Sequence, residues 1–410
     1  MKEIICNYAE NDYAIQDAMI CSGVGEQHQK NFGAVSPPLV KTSLFVQQSY
    51  QQYCDDMQHE AERYIYSRGL NPTTELLEHK LAALERGAAC KVFGSGMGAI
   101  SATLFGLLKS GDHIILVNNV YGPTVVLVKQ MQQRFGIDYD IVLSGDVEDI
   151  RQKIKPNTRM IYTESPGTMT MRVVDLQMIA ELAKENNIIT AIDNTWATPL
   201  FQKPLTLGFD LVLHSCTKYI GGHSDLTAGA VVGAKVYLDI IRDFSHQLLG
   251  AVLAPDSAWL VIRGLRTLPL RMRQHQNNTY AILTFLNSRA EVENICHPLM
   301  ADAKQREIVS QQMFGTSGLI SFELKDGSFE KVKAIIDSCR IFKPGCSWGG
   351  YESLIISPNR GYNQDVICKD GMAPGLIRIS IGQESPEMLI ADLENAFDSI
   401  KHINSGKITW

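Results

Sequence analysis

Short, largely apolar runs recur through the middle of the chain at 90–93, 113–117, 139–143, 160–164, 188–192, 210–214 and 228–233. They are mostly continuous rather than alternating, the pattern of strands buried on both faces. Stretches of helical period separate most of them, 174–186 being one. That alternation predicts a seven-stranded, mostly parallel sheet covered by helices on both sides. A helix is expected to open at Asn71-Pro72-Thr73, with Thr73 as its cap and Glu75 and Glu78 near its positive end. Leu76, Leu77, Leu81 and Leu84 would form its buried face, and Gly87 follows its end. Residues 257–285 read as one long helical pattern interrupted near Pro269. Beyond it, strands at 318–323 and 377–381 mix with helices at 329–337 and 386–400, which predicts a smaller C-terminal α/β domain.

Residues 1–65 differ from the rest. They are polar, rich in Tyr and Gln, and broken at Pro37-Pro38. Too few apolar periods occur there to build a core, so an arm that packs on something else is expected. The predicted division is an arm over 1–65, a large domain over 66–265 and a C-terminal domain over 266–410.

Composition narrows the function classes. The chain has 410 residues, 45% of them hydrophobic and 20% charged, and a formal net charge of −6. With no long basic run, neither nucleic acid nor an anionic membrane surface is an expected partner. No apolar run approaches the ~20 residues of a membrane-spanning helix. Met1–Asp12 lacks a positive segment followed by an apolar core, so no signal peptide is expected. Nine scattered cysteines, with no C-x-x-C spacing, fit a reduced, cytoplasmic chain. His214, Cys216 and His223 lie near one another, but no second Cys/His cluster completes a ligand set, so no metal site is expected.

The candidate chemistry sits at strand ends. The run ending at Leu213 leads into His214-Ser215-Cys216-Thr217-Lys218, with hydroxyls three residues and one residue ahead of a lysine. Such hydroxyls can hold an anion beside an amine. That is what pyridoxal 5'-phosphate needs: a lysine for the Schiff base, and donors for the phosphate. The run Ile188–Ile192 ends at Asp193, 25 residues earlier, a position suited to the acidic partner of the pyridine nitrogen. Taken singly, Asp193 could be a helix cap and Lys218 a solvated charge. Two such residues, each closing a strand, are harder to assign to chance. A third run, Gly94-Ser95-Gly96-Met97-Gly98-Ala99, opens a helix whose N-terminal amides could cradle phosphate. It also fits G-x-G-x-x-A, a dinucleotide fingerprint, but Asp112 precedes the next strand instead of ending it, which weakens that reading.

With these motifs assembled, the chain resembles the Cys/Met-metabolism (transsulfuration) family of pyridoxal-phosphate enzymes over roughly Pro37 to Lys401. The resemblance is carried by Tyr66-Ser67-Arg68 with Asn71-Pro72-Thr73, Ser95-Gly96-Met97, Tyr121-Gly122, Glu164-Ser165-Pro166, Asp193-Asn194-Thr195 and Ser215 to Asp225. Ser347 to Leu354 and Arg378 to Gly382 extend it. Glu164 to Thr170 and the Ser-Trp-Gly-Gly-Tyr-Glu-Ser run look most like the bacterial cystathionine β-lyase branch.

The resemblance implies an aspartate-aminotransferase-type (type I) fold and a Schiff base on Lys218. It gives Lys218 and Tyr121 catalytic roles, Tyr121 also stacking on the ring. Tyr66 and Arg68 would reach the phosphate of a neighbouring subunit, joined there by Ser95, Gly96, Met97, Ser215 and Thr217, while Asp193 meets the ring nitrogen. Ser347, Trp348 and Arg378 would bind the substrate, Arg378 through its α-carboxylate. It further implies a homodimer at least, and a homotetramer as in relatives.

Three departures bear on specificity. Thr168 stands where many members have Asn. Cys346 stands where γ-acting relatives often have Glu and the β-lyase branch often has Tyr. Pro123 replaces the reactive Cys of typical methionine γ-lyases. The expected activity is carbon–sulfur β-elimination from cystathionine or other S-substituted cysteines, with γ-acting relatives and a non-enzymatic cofactor-binding protein as the alternatives.

Overall fold

The computed structural model describes residues 12–23 and 26–401. Cys6, one of the nine cysteines, lies outside them, and the other eight are free thiols. Twelve strands form two sheets among the described residues. The first comprises β1 (Ala89–Phe93), β2 (His113–Val117), β3 (Asp138–Val142), β4 (Thr158–Glu164), β5 (Ile189–Asp193), β6 (Leu211–His214) and β7 (Gly229–Gly233), in the order β1-β7-β6-β5-β4-β2-β3. β7 runs antiparallel to both of its neighbours and every other pair is parallel. The central strands are buried along their whole length, as continuous apolar runs require when helices cover both faces.

The second sheet comprises β8 (Val292–Cys296), β9 (Leu319–Leu324), β10 (Lys343–Pro344), β11 (Leu354–Ile356) and β12 (Leu376–Ser380), in the order β10-β11-β12-β9-β8. The helix Pro255–Asn287 reaches both sheets' ends: Arg271 donates to Tyr219 O in the turn after β6, and His275 donates to Ile381 O just after β12. Pro269 does not interrupt it: the helix runs unbroken over 33 residues, with Leu265, Leu268 and Met272 buried around the proline. Tertiary packing outweighs the lost hydrogen bond that made a break the sequence expectation.

Two further expectations are corrected. The helix Pro72–Glu85 is capped by Asn71, whose side chain accepts from the Thr73 amide, with Pro72 in the first turn. Thr73 lies inside the helix and its hydroxyl accepts from the Val40 amide instead. The N-terminal segment is also not wholly an arm. Helix Asp12–Ser22 docks on the chain's own fold through buried Cys21 and Asp17. Asp17 pairs with Lys203 at 2.9 Å and with Arg86 at 2.7 Å. The ion pairs of this docking are not visible to hydrophobic period. By contrast, Phe32, Val35, Leu44, Val46 and Tyr50 are exposed.

Among the described residues no helix is long and apolar enough to cross a membrane.

Candidate active site

The parallel strands end on one edge, and open α/β sheets bind ligands there. A cleft of about 230 Å³ opens at this edge. It is lined by Ser95, Gly96, Met97, Tyr121, Glu164, Thr168, Asp193, Ser215, Thr217, Lys218, Cys346, Trp348 and Arg378, with Ile100, Thr195 and Thr227 completing the wall. Of the thirteen residues singled out from the sequence, ten line this cleft. Ser347 touches it through Lys218. Tyr66 and Arg68 do not line it: both are exposed, and the Arg68 guanidinium lies 5.4 Å from the Tyr66 ring centroid.

Lys218 sits in the turn after β6. Its amide donates to Ser215 O and its carbonyl accepts from Gly222, so the turn is closed on both sides. Arg271, buried in the long helix, donates to the carbonyls of Tyr219 and Gly264 and clamps the same turn. The Lys218 ammonium donates to Ser347 Oγ at 2.7 Å and lies 5.4 Å from the Trp348 ring centroid. Burial and the Arg378 charge pull the Lys218 pKa down to about 8, which moves this amine toward the range where it can take a proton at neutral pH. Gly349 makes the close approach possible: its φ is +82°, and a Cβ there would stand 2.8 Å from the Tyr219 amide nitrogen and 3.1 Å from Lys218 Cβ.

Asp193 ends β5 and accepts from both the amide and the hydroxyl of Thr195. Burial pushes its pKa up, while the Thr195 donors, His214 and Lys218 pull the other way. His214 faces the opposite side of the sheet, bound to buried Glu85, which also accepts from Asn194. That pairing engages His214, one of the three residues considered for a metal. Among the described residues no group of three or more His, Cys, Asp or Glu could hold a metal ion.

At the other end, Ser95 caps the helix Gly96–Leu107 by accepting from the Gly98 amide at 2.9 Å. A Cβ on Gly96 would meet Ser215 Cβ and Oγ at 2.9 Å, so only glycine lets this helix start so near the Lys218 turn. Free amides at a helix start, beside the hydroxyls of Ser215 and Thr217, make a cradle for a phosphate. A buried carboxylate and a lysine of lowered pKa lie across the same cleft. These residues fit pyridoxal phosphate: Gly96, Met97, Ser215 and Thr217 would hold the phosphate, Asp193 the ring nitrogen and Lys218 the carbonyl carbon.

Arg378 projects from β12 into the cleft. It is 7% exposed and has no carboxylate within ion-pair distance among the described residues. Its contacts are long ones: Thr168 O at 3.3 Å, Cys346 O at 3.4 Å and Met169 Sδ at 3.5 Å. Burial lowers its pKa to about 10, which leaves it charged at neutral pH. A buried guanidinium without an anion is costly unless a ligand supplies one.

Glu164 and Arg271 had no role assigned from the sequence. Glu164 was visible only as part of a motif. Its neighbourhood depends on strand order, which the sequence does not display.

Known proteins resemble this chain over nearly its full length. The family described as Cys/Met metabolism PLP-dependent enzyme matches residues 19–398. An L-methionine gamma-lyase from Fusobacterium nucleatum subsp. polymorphum is 39% identical over 90% of this chain and 95% of its own length. A cystathionine beta-lyase from Lactococcus lactis subsp. cremoris is 39% identical over 91% and 97%. The solved structure of cystathionine gamma-lyase from Lactobacillus plantarum complexed with L-serine aligns with a TM-score of 0.84 at 36% identity, covering 93% of this chain and 98% of that one. This chain therefore belongs to the Cys/Met-metabolism family of pyridoxal-phosphate-dependent enzymes and is a carbon–sulfur lyase with the type I fold.

Proposed function

We propose that the chain is a β-acting lyase that cleaves cystathionine or related S-substituted cysteines to a thiol, pyruvate and ammonia. The observation that carries this reading is Cys346 at the cleft wall, where γ-acting relatives often have Glu. No carboxylate stands there to serve γ-chemistry. Thr168 in the Glu164–Thr170 run and Pro123 after Tyr121 support the same branch.

The bound cofactor supplies an electron sink for charge left at the substrate α-carbon. This chain's residues do the rest. Arg378 binds and orients the α-carboxylate. Lys218, with its pKa near 8, takes the α-proton. Asp193 favours a proton on the ring nitrogen. Tyr121 covers one wall of the cleft and can exchange a proton with the substrate amine. The sulfur leaves toward Cys346 and Trp348. Ser347, bonded to Lys218, acts at the amine end and not along the leaving group.

A γ-acting reading rests on relatives named as γ-lyases at similar identity. A keto-acid assay separates the two across cystathionine, cysteine, methionine and homoserine esters. Pyruvate is expected from cystathionine and cysteine. Predominant 2-oxobutyrate from cystathionine or methionine would replace the β reading with the γ one.

Further observations support a shared assembly. Exposed apolar side chains between Phe32 and Tyr66 need cover, and Tyr66 and Arg68 are outside their own cleft. Both residues are assigned to a neighbouring subunit's phosphate, within a homodimer at least and a homotetramer as the family resemblance implies. The free thiols fit a cytoplasmic enzyme. Mixing Arg68→Ala subunits with Lys218→Ala subunits, each inactive alone, is expected to restore part of the activity, because one site per mixed dimer is then intact. No recovery after demonstrated subunit exchange would mean that the sites are not shared.

A further inference from the structure

Glu164 is a second buried carboxyl in the cleft. It ends β4 in direct register with Asp193 on β5, so the two side chains leave adjacent parallel strands on the same face. Two carboxylates this close in a low-dielectric site resist being charged together. Their donors differ. Asp193 accepts from the amide and hydroxyl of Thr195 and has Lys218 nearby. Glu164 accepts from the Tyr121 amide at 2.7 Å, and Thr168 bonds its carboxyl. The groups facing Glu164 are Asp193 from β5, Tyr162 two positions earlier on β4, Tyr121 and Thr168 from the loops, and Arg378 from β12. Of these only Arg378 is a cation, and in the working site its charge belongs to the substrate carboxylate.

Glu164 is also the anchor of the loop that carries Tyr121. Its carbonyl accepts from Asn118 Nδ2 at 2.8 Å and its carboxyl holds the Tyr121 amide. Asn119 ties the same loop to Thr168 and Met169. One side chain thus holds the backbone of Tyr121 at the cleft and stands beside Asp193.

We propose that Glu164 is held as an uncharged carboxylic acid beside an ionised Asp193, and that in this form it is the residue that positions Tyr121 over the cleft. Its neutrality keeps Asp193 free to neutralise the ring nitrogen and keeps the approach to Arg378 open to a substrate carboxylate. Burial and the charge of Asp193 push the Glu164 pKa well above the carboxylate range, which agrees with this assignment. The inference rests on the reading of Asp193 and Tyr121 as cofactor contacts.

The test uses holoenzyme and two readouts. Glutamine is shaped like a neutral carboxylic acid and can still accept from the Tyr121 amide. Glu164→Ala is expected to lower kcat/KM at least about tenfold, the scale of a displaced active-site group, and Glu164→Gln to recover most of that loss. The pH titration of the lysine-bound cofactor's visible absorbance reads charge directly. In Glu164→Gln its midpoint should stay within about 0.3 units of wild type, because no charge has been removed. A fall of about one unit in that variant would show that Glu164 is anionic and would overturn the proposal. No loss in Glu164→Ala, or no recovery in Glu164→Gln, would overturn the positioning role. If Glu164→Ala fails to fold, the Glu164→Gln titration still decides the charge. A normal absorbance band attached to Lys218 in wild type keeps a failure here separate from a failure of the site itself.

Discussion

Replacing Lys218 by alanine is expected to abolish covalent cofactor attachment and turnover together. The amine lies in a closed turn, hydrogen-bonded to Ser347, with its pKa lowered to about 8 by burial and Arg378. Ser215, Thr217 and Asp193 line the same cleft. Among the described residues no other lysine lines it. Two functions are lost at once, the anchor for the cofactor and the base at the α-carbon. Loss of a positioned base alone lowers the rate by roughly 10²–10⁴-fold, and loss of the anchor adds to that. The yellow colour of lysine-bound cofactor should vanish, although Asp193 and the phosphate cradle can still hold the cofactor without a covalent bond. Borohydride reduction followed by peptide mapping is the check. A covalently trapped cofactor in Lys218→Ala protein would assign the anchor to another lysine.

Sequence pattern reached the sheet and most of the cleft because both are written locally. Each buried strand is a continuous apolar run, and Asp193 and the Lys218 turn come at the ends of such runs. What stayed hidden depends on distance along the chain. His214 and Glu85 are 129 residues apart and bonded, and Glu164 reaches the Tyr121 amide across 43 residues. Register puts Glu164 beside Asp193 only because β4 and β5 are neighbours. The docking of Asp12–Ser22 was missed for another reason. Part of its hold is the buried charge of Asp17 between Lys203 and Arg86, and period analysis counts apolar side chains, not ion pairs. Pro269 misled because the rule for proline concerns an isolated helix, whereas this one is clamped by core packing on both sides of the residue.

Arg378→Lys is expected to weaken every amino-acid substrate by a similar factor. Arg378 is buried, charged and without a carboxylate partner among the described residues, so the substrate carboxylate is the anion it lacks. A guanidinium can donate two parallel hydrogen bonds to a carboxylate, and an ammonium on a shorter reach cannot. Losing such a desolvated contact costs on the order of 2–5 kcal/mol of transition-state binding, which is ~30-fold to several-thousand-fold in kcat/KM. The factor should be uniform because cystathionine, cysteine and its shorter conjugates all carry the same α-carboxylate. Changes at Cys346 should behave differently. Its carbonyl borders Arg378, while its exposed side chain lies at the cleft wall, where the variable part of the substrate would pass. Cys346→Tyr should therefore reorder cystathionine against shorter conjugates while leaving the carboxylate contact in place. The two variants measured over one substrate panel give a direct comparison. An unaffected Arg378→Lys enzyme would put the carboxylate clamp elsewhere. Strong reordering by Arg378→Lys, with none by Cys346→Tyr, would mean that the substrate lies in the cleft the other way round, its leaving group toward β12.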